Sequence, residues 1–475
     1  RRGADALPSI GASVILPTDI QLRAIVESGE YRRVKIGTSP LAGNAEVCID
    51  PDRLFGRHLA ILGNTGSGKS CSVAGLIRWS LEQAQQSAAS QPNARFIILD
   101  PNGEYTRAFN EKDPLVKARV FKVKQEDGKY RLQVPLWFWN SAEWCSFTQA
   151  SSKTQKPTFV QALRFARDRQ SEPADSKGRE MRRFLRTMLT IIRIEKNTGS
   201  PWDVFPKPKA FWEKIDKWNK GLESKLAFYV GEQLDKLTAL ITEIENLSTP
   251  RKAKYAHYDF TLPEVEKLIT VTREAYFAFG GSDNDPELLD VDIPSPFSGD
   301  ALLRSVEAAA DILNVSEHAE TLLIRIRSLL TNTRMKSVIG NEKSITLEHW
   351  LIDYIGNDKA ANGCLTVIDL SLVPTEIIHI LTAVIARMVF EALQRYRNIN
   401  GVVLPTVMVM EEAHTFIKRY REDIENHDAA SVCCQVFERI AREGRKFNLK
   451  LVLSSQQPSE LSSTVLSQCN SFLLH

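Results

Sequence analysis

Three glycines, a lysine and a serine have the spacing of a phosphate-binding loop in the segment Gly63-Asn64-Thr65-Gly66-Ser67-Gly68-Lys69-Ser70. An apolar run, 59–62, precedes the segment and a helix-forming run, 73–77, follows it. Glycines let the backbone amides surround a β-phosphate, and the following helix adds the positive end of its dipole. Lys69 then reaches the β- and γ-phosphates, and the Ser70 hydroxyl is placed to bind Mg²⁺. The predicted cofactors are ATP and Mg²⁺, and the predicted nucleotide-binding residues are Gly63, Asn64, Thr65, Gly66, Ser67, Gly68, Lys69, Ser70 and Cys71.

Two adjacent carboxylates, Glu411 and Glu412, follow the apolar run 407–410. Nucleotide hydrolysis needs an acid on the metal and a carboxylate that orients the attacking water. Neighbouring residues at the end of a strand face opposite ways, so we predict Glu411 on the Mg²⁺ shell and Glu412 on the water. The alternative is an ordinary acidic helix start, where carboxylates are favoured electrostatically.

Two further polar residues belong to the same predicted edge of the sheet. Gln456 follows the apolar run 451–453 and is predicted to sense the γ-phosphate or the water, with an exposed surface amide as the alternative. His414 either relays the state of the γ-phosphate or is a residue of the capping turn.

An arginine cluster ends the helical segment 437–446 with Arg439, Arg442 and Arg445. In a ring-shaped motor, a guanidinium group at this place could act on the nucleotide of the neighbouring subunit. We therefore predict Arg442 or Arg445 as a catalytic residue in trans. A cation-rich helix C-terminus is also favourable without any catalytic role.

Strands and helices alternate around these motifs, which predicts an α/β fold with a parallel sheet. Short β segments in 8–55 predict part of a small barrel, and the Asp-Gly pair at 127–128 predicts a hairpin over 119–136. Residues 140–345 carry amphipathic helical patterns and predict a helical insertion. The predicted domains are a partial N-terminal barrel at 1–55, an ATPase core at 56–139 and 346–475, and the insertion at 140–345.

Composition narrows the class of protein. The 475 residues carry 61 Lys and Arg against 58 Asp and Glu, so any contact with a polyanion must be a local patch. One stretch, 177–225, has 13 basic against 6 acidic residues, for which a solvated helical face is the preferred interpretation. Seven scattered cysteines and the absence of a 20-residue apolar run predict a cytoplasmic protein without a membrane span. Because the chain begins without Met and ends in a strand-like run, we expect the natural protein to extend beyond both ends.

Taken together, the motifs HLAILGNTGSGKS, LDPNGEY, VMEEAH and REGRKFNLKLVLSSQQPSELSSTVLSQCN resemble the HerA branch of the HerA–FtsK ATPases. Members of that branch are prokaryotic ring-forming motors that move double-stranded DNA. The resemblance covers 50–135 and 360–475, and the motifs fall in the family's order. It implies a RecA-like P-loop NTPase core, a homo-hexamer with ATP and Mg²⁺ at subunit interfaces, and DNA in the central pore. It also places Asp100 and Glu104 beside the site, while Glu411 stands where the family has an aspartate.

The resemblance further implies a partner nuclease or effector, NurA-like, sirtuin-like or other, in DNA end processing or anti-phage defence. The alternatives are a ring scaffold that activates a partner enzyme and a conjugation- or secretion-type ATPase. A translocating ring needs cations that face its pore. The candidates for DNA contact are Lys122, Lys124 and Lys129 in the predicted hairpin, and Lys418, Arg419 and Arg421 after the carboxylates. Solvated basic loops are equally compatible with this charge pattern.

Overall fold

A computed structural model of the chain describes most of its residues. The described ranges are 9–13, 15–26, 34–87, 93–109, 116–124, 130–167, 176–252, 257–282, 290–313, 315–339, 345–357, 360–361, 363–420 and 428–475. They divide into two compact units, one formed by 1–135 with 334–475 and the other by 136–333. Whether either unit is an independent domain stays a prediction, as do the domain limits drawn from the sequence.

The first unit is built on a parallel sheet of seven strands among the described residues. Its strands are β3 (His58–Leu62), β4 (Arg95–Asp100), β5 (Ala118–Phe121), β6 (Leu365–Asp369), β7 (Thr406–Met410), β8 (Leu449–Ser455) and β9 (Cys469–Leu474). The order across the sheet is β5-β6-β4-β7-β8-β3-β9. The inner strands are short apolar runs because helices cover both faces of a parallel sheet. The predicted α/β class with a parallel sheet is confirmed.

The helices of this unit include the crossover connections between the strands of the main sheet. They are α1 (Asp19–Val26), α2 (Pro51–Phe55), α3 (Lys69–Ser87), α4 (Tyr105–Ala108), α13 (Thr333–Ile339, at the junction of the units), α14 (Leu347–Ile355), α15 (Thr375–Asn400), α16 (Ala429–Glu443) and α17 (Ser463–Ser467). Helix α3 packs its apolar side on one face of the sheet, where Val73 and Ile77 meet Leu59 and Ile98. Helices α15 and α16 pack together, and α16 contacts β8. In the part of the chain that the structure describes, every helix is too short or too polar to span a bilayer.

The second unit is helical in its described residues. It contains α5 (Ser141–Phe147), α6 (Gln155–Arg167), α7 (Ser176–Thr198), α8 (Lys207–Glu223), α9 (Glu232–Ser248), α10 (Leu262–Ala278), α11 (Gly299–Leu313) and α12 (Ser316–Thr331). Apolar side chains of α7 to α10 share one core. Several lysines of the basic stretch form ion pairs within the unit, including Lys196 with Glu266 at 2.7 Å and Lys220 with Asp216 at 3.0 Å. These pairs favour the interpretation of the stretch as a solvated helical face.

The N-terminal region differs from its prediction. Its described residues form helix α1 and one antiparallel pair, β1 (Val34–Ser39) with β2 (Ala45–Ile49), rather than several barrel strands. One of the β segments expected within 8–55, at 12–16, is irregular where it is described, and Ile15 and Leu16 are exposed. Among the described residues no strand lies beside this short apolar run, and a strand without a pairing partner is not stable.

The predicted hairpin over 119–136 is also wrong. Its first half is β5, an edge strand of the main sheet. In the described residues, its second half meets the first through one parallel bridge, Lys122 with Arg131, and a ring contact between Phe121 and Tyr130. Residues 125–129, with the Asp-Gly pair and Lys129, lie outside the described residues. The apolar alternation of the second half is explained by burial instead, since Leu132 and Val134 are fully buried. The backbone of Gln133, between them, is paired with side chains of α14: its N–H donates to Tyr354 OH, and its carbonyl oxygen accepts from Trp350 Nε1.

Candidate functional site

The order of the sheet brings four motifs to one edge. Strands β4, β7, β8 and β3 are consecutive neighbours, and all are parallel. Their carboxyl ends therefore lie side by side, which is where open α/β sheets bind ligands. The segments that leave these ends are the turn after Asp100, the Glu411-Glu412 pair, Gln456 and the glycine loop.

The glycine loop connects β3 to α3 in the predicted way. Gly66 and Gly68 have φ of +77° and +93°, the left-handed region that residues with a Cβ avoid. Lys69 is buried, and its Nζ donates to the Asn64 carbonyl oxygen at 2.8 Å, so the side chain folds back over the loop. Ser67 Oγ is a buried atom that finds no hydrogen-bond partner in the part of the chain that the structure describes. A loop that leaves buried polar groups unsatisfied fits a ligand with phosphate oxygens.

Glu411 is buried at 2% exposure and is surrounded by hydroxyl groups. Ser70 Oγ and Ser454 Oγ donate to its Oε1 at 3.1 and 3.0 Å, and Tyr105 OH donates to its Oε2 at 2.5 Å. Burial raises the pKa of the Glu411 carboxyl, while these hydrogen bonds act in the opposite direction. Ser70 and Glu411 thus form a pair of hard oxygen ligands, which suits Mg²⁺, an ion that keeps several waters and takes one or two carboxylates.

Tyr105 reaches Glu411 because Asp100 shapes the turn between them. The buried Asp100 carboxylate accepts from the backbone N–H of Gly103 at 2.9 Å and of Tyr105 at 2.8 Å. Burial raises the pKa of Asp100, and these amide donors oppose that rise. Glu104, which the resemblance places beside the site, is exposed at the start of α4. Asp100 is therefore a residue that builds the turn, and Tyr105 is the residue that contacts the carboxylate.

Glu412 points to a different set of partners from Glu411. Gln456 Nε2 donates to Glu412 Oε1, and Thr65 Oγ1 of the glycine loop donates to Gln456 Oε1. Glu412 Oε2 is a buried atom that makes no hydrogen bond to the described residues, with His414 Nδ1 3.3 Å away. The backbone of Glu412 is left-handed, with φ +45° and ψ +53°, which is uncommon for a residue other than glycine and typical of functional sites. This oxygen is free to accept a proton or a hydrogen bond from a water.

The arginine cluster lies at the opposite edge of the sheet. Helix α16 ends at Glu443, and a short turn leads into the first residue of β8, so the helix C-terminus is near the amino end of that strand. The seven residues of β8 span about 20 Å between this end and Gln456. Arg442 and Arg445 are exposed there, while Arg439 pairs with Glu443 at 3.6 Å.

Sequence reasoning missed His58, which fixes this helix end to the sheet. His58 is buried in β3; its Nε2 lies 3.1 Å from the Ala441 carbonyl oxygen, and its Nδ1 accepts from the Leu451 N–H at 3.0 Å. Burial lowers the pKa of His58 to about 4, helped by the nearby Lys450. Burial likewise lowers the pKa of Lys450 to about 8. The imidazole is therefore neutral and donates from Nε2. Sequence reasoning also missed Tyr105 and Ser454. A single imidazole or hydroxyl group has no pattern that a sequence reveals.

The basic candidates lie in different places. Lys418 and Arg419 are exposed after the carboxylates; Lys418 Nζ lies 3.5 Å from Glu460 Oε2, and Arg419 Nε donates to the Leu461 carbonyl. Lys122 is half-buried and Lys124 exposed after β5, at the far side of the sheet. Arg421 and Lys129 are outside the described residues. Cys71 is exposed in the first turn of α3.

Residues 34–260 match the family described as "Helicase HerA, central domain". The chain is 30% identical over 469 residues to "Probable helicase MJECL08" of Methanocaldococcus jannaschii, which covers 98% of this chain and 65% of that protein. It is 31% identical over 100 residues to "DNA double-strand break repair helicase HerA" of Pyrococcus furiosus, or 21% of this chain and 16% of the relative. Among solved structures, VirB4 of Thermoanaerobacter pseudethanolicus aligns over 94% of this chain and 84% of its own, at 12% identity and a TM-score of 0.43.

Proposed function

Because this chain belongs to the HerA–FtsK superfamily of P-loop ATPases, we propose that it is an ATP-hydrolysing hexameric motor that binds and translocates double-stranded DNA. The observation that carries the proposal is the meeting of the glycine loop, both carboxylates and Gln456 at the carboxyl ends of adjacent strands. The chain spans 65% of the length of the first relative, so the activity of the whole protein is part of this proposal.

Each side chain has a distinct task in the proposed reaction. The loop amides and Lys69 hold the β- and γ-phosphates, and Ser70 with Glu411 would hold Mg²⁺, which offsets negative charge on the phosphates when bound. The unsatisfied Glu412 Oε2 orients the attacking water and accepts its proton. Gln456 bridges Glu412 to Thr65, so a change at the γ-phosphate alters both contacts.

The position of the arginines supports a site shared between subunits. Arg442 and Arg445 lie at the amino end of β8, about a strand length from the glycine loop of their own chain. In a head-to-tail ring, one edge of each subunit faces the opposite edge of its neighbour. An arginine at this edge then acts on the neighbour's nucleotide, as trans-acting arginines do in other P-loop ATPases.

DNA is proposed as the substrate that the ring moves, with Lys418 and Arg419 as contacts to phosphates. Both cations are exposed and follow Glu412 by six and seven residues, so hydrolysis and DNA contact share one segment. A relative named for double-strand break repair supports a role in DNA end processing, with cleavage supplied by a separate nuclease. Anti-phage defence is the other setting in which such a motor and nuclease would act together.

The test separates water activation from phosphate binding. We expect Glu412→Gln to bind ATP within about threefold of the wild-type affinity and to lose about 10²- to 10⁴-fold in hydrolysis. Lys69→Ala should weaken ATP binding as well. Duplex DNA should stimulate hydrolysis by the wild type and by Glu348→Gln, which removes an exposed carboxylate of α14.

Two outcomes would contradict the proposal. Near-normal hydrolysis by Glu412→Gln would remove that residue from the mechanism and make Glu411 the next candidate. Wild-type turnover that ignores duplex DNA would favour a ring scaffold that assembles a partner enzyme.

A further inference from the structure

A buried carboxylate on α16, the helix that carries Arg439 and Arg442, joins two segments. Both segments follow the carboxyl ends of sheet strands, beside the glycine loop. Glu438 of α16 is 8% exposed. Its Oε1 accepts from Ser462 Oγ, and its Oε2 accepts from Tyr420 OH at 3.1 Å. Cys434 Sγ, one turn earlier on the helix, lies 3.9 Å from Oε1. We name Glu438, Tyr420 and Ser462 the carboxylate clamp.

The first of the two segments begins at Gln456, the proposed phosphate sensor, and is called the sensor segment. Gln456 contacts Glu412 and Thr65, and the chain then runs through a short turn at Pro458–Glu460 to Ser462. Five residues therefore lie between Gln456 at the nucleotide site and Ser462, whose hydroxyl binds Glu438. A shift of Gln456 is passed along a short and structured connection.

The second segment carries the basic residues. Residues 417–420 pair with 460–462 through an antiparallel bridge between Lys418 and Leu461. The Arg419 N–H donates to the Glu460 carbonyl at 2.9 Å, and the Ser462 N–H donates to the Ile417 carbonyl at 2.9 Å. Tyr420, next to Arg419, then fixes this paired segment to Glu438.

We propose that the carboxylate clamp couples the phosphate sensor to the basic segment, so that bound ATP and bound ADP give different affinities for duplex DNA. Glu438 is the positioning residue at its centre, and it acts through Tyr420 and Ser462 rather than on the nucleotide. The coupling extends to the arginines, because Glu438 lies next to Arg439 and one turn before Arg442 on α16. The proposal rests on the proposed function, since it needs a site for ATP and a site for DNA.

Hydroxyl groups suit such a clamp. A carboxylate held by two neutral hydroxyl donors is well satisfied while it stays buried, and each donor can be removed by deleting one oxygen. Tyr420→Phe removes the bond between Glu438 and the basic segment, and Ser462→Ala removes the bond between Glu438 and the sensor segment. Both changes keep the shape of the side chain nearly intact, so they test the connection with little change in packing.

The experiment measures the Kd of a short duplex DNA with Mg²⁺ and a non-hydrolysable ATP analogue, and again with Mg²⁺ and ADP. The ratio of the two constants is the coupling factor, and typical allosteric factors are about 5- to 150-fold. We expect Tyr420→Phe and Ser462→Ala each to bring this ratio to within about twofold of one. The affinity for ATP in the absence of DNA should stay within about twofold of the wild type.

The control is Tyr354→Phe, which deletes a buried tyrosine hydroxyl bonded to the Gln133 carbonyl at 3.1 Å on the far side of the sheet. It should keep the wild-type ratio. A wild-type ratio in both clamp variants would overturn the inference while leaving the motor proposal intact. A wild type that binds DNA equally in both nucleotide states, or does not bind it, would overturn the motor proposal and the clamp with it.

Discussion

Glu411 is a longer side chain than the aspartate that the family resemblance places there, and hydroxyl groups hold its carboxylate in position. Tyr105, the first residue of α4, donates to Oε2, and Ser454 in β8 donates to Oε1. Ser70, at the end of the glycine loop, also donates to Oε1. Three fixed donors reduce the freedom of the extra methylene group. They also oppose the rise in the pKa of the Glu411 carboxyl that its burial causes.

Tyr105→Phe is predicted to weaken the response to Mg²⁺. Loss of the phenolic donor leaves Glu411 Oε2 without that hydrogen bond, so the pKa of the carboxyl rises further. The affinity of the carboxylate for Mg²⁺ therefore falls. We expect the Mg²⁺ concentration needed for half-maximal ADP affinity to rise by about threefold or more, with ADP affinity in EDTA unchanged. Tyr354→Phe serves as the control, and an unchanged Mg²⁺ requirement would exclude Tyr105 from positioning Glu411.

His58 is predicted to make the first unit sensitive to acid. Its pKa is about 4 when folded and about 6.5 when unfolded, so between these values the unfolded chain binds more protons and stability falls as pH falls. The contribution of neutral His58 to the free energy of unfolding is therefore complete above about pH 6.5. About 2 kcal/mol of it is lost by pH 5.

His58→Asn tests this sign, because an amide keeps an acceptor near the Leu451 N–H but does not titrate. Urea unfolding at pH 7 and pH 5 should show the stability gap between the wild type and the variant closing by about 2 kcal/mol at the lower pH. An equal gap at both pH values would mean that the imidazole is not held neutral.

Among the elements, the segment after β7 has two tasks that the structure keeps close together. It presents Lys418 and Arg419 at the surface, and it pairs with the segment after β8. Lys418 faces Glu460 at a distance and exposure at which an ion pair contributes little, so a DNA phosphate would replace that partner readily.

Replacing Lys418 and Arg419 by Ala is predicted to reduce the salt dependence of DNA binding. Each lost phosphate contact lowers the slope of log K against log salt by about 0.9, so the slope should fall by about 1.8. Basal ATP hydrolysis should survive while DNA stimulation is lost. The control replaces Lys117 and Lys336, two exposed lysines of the same unit, by Ala. An unchanged slope would leave Lys122 and Lys124 as the remaining candidates.

At the scale of the whole molecule, Gln456 lies at the carboxyl end of β8 and the arginine cluster lies at its amino end. A single subunit therefore holds an incomplete site in the proposed mechanism. The second unit has its own helical core and its own ion pairs. The proposed mechanism assigns none of its residues to the reaction.

Complementation between two inactive variants tests the shared site. Arg442→Ala/Arg445→Ala should bind ATP yet hydrolyse it poorly, and Lys69→Ala should fail at binding. In an equal mixture of exchanging subunits, about a quarter of the interfaces combine an intact glycine loop with an intact arginine edge. Hydrolysis should therefore return in the mixture. No recovery, with subunit exchange verified by two affinity tags, would place the arginines outside the reaction.

The sequence by itself determined the nucleotide loop, the strands that flank it and the parallel sheet. These features are local, because a phosphate loop is a short backbone conformation and buried strands are continuous apolar runs. It misjudged the hairpin at 119–136, where the apolar alternation of the second half reflects burial against other elements. In the N-terminal region it anticipated a strand at 12–16, where the described residues form none.

Only the tertiary structure decided which side chains meet. Tyr105 and Glu411 are 306 residues apart, and His58 and Leu451 are 393 apart. The order of the sheet strands brings these partners together, and that order depends on the packing of the whole unit rather than on any one segment. The placement of the arginines at the edge opposite the glycine loop and the hydrogen bonds of Glu438 have the same origin. Single hydroxyl, imidazole and carboxylate groups have no periodicity that a sequence could reveal, so their roles emerge when folding sets their neighbours.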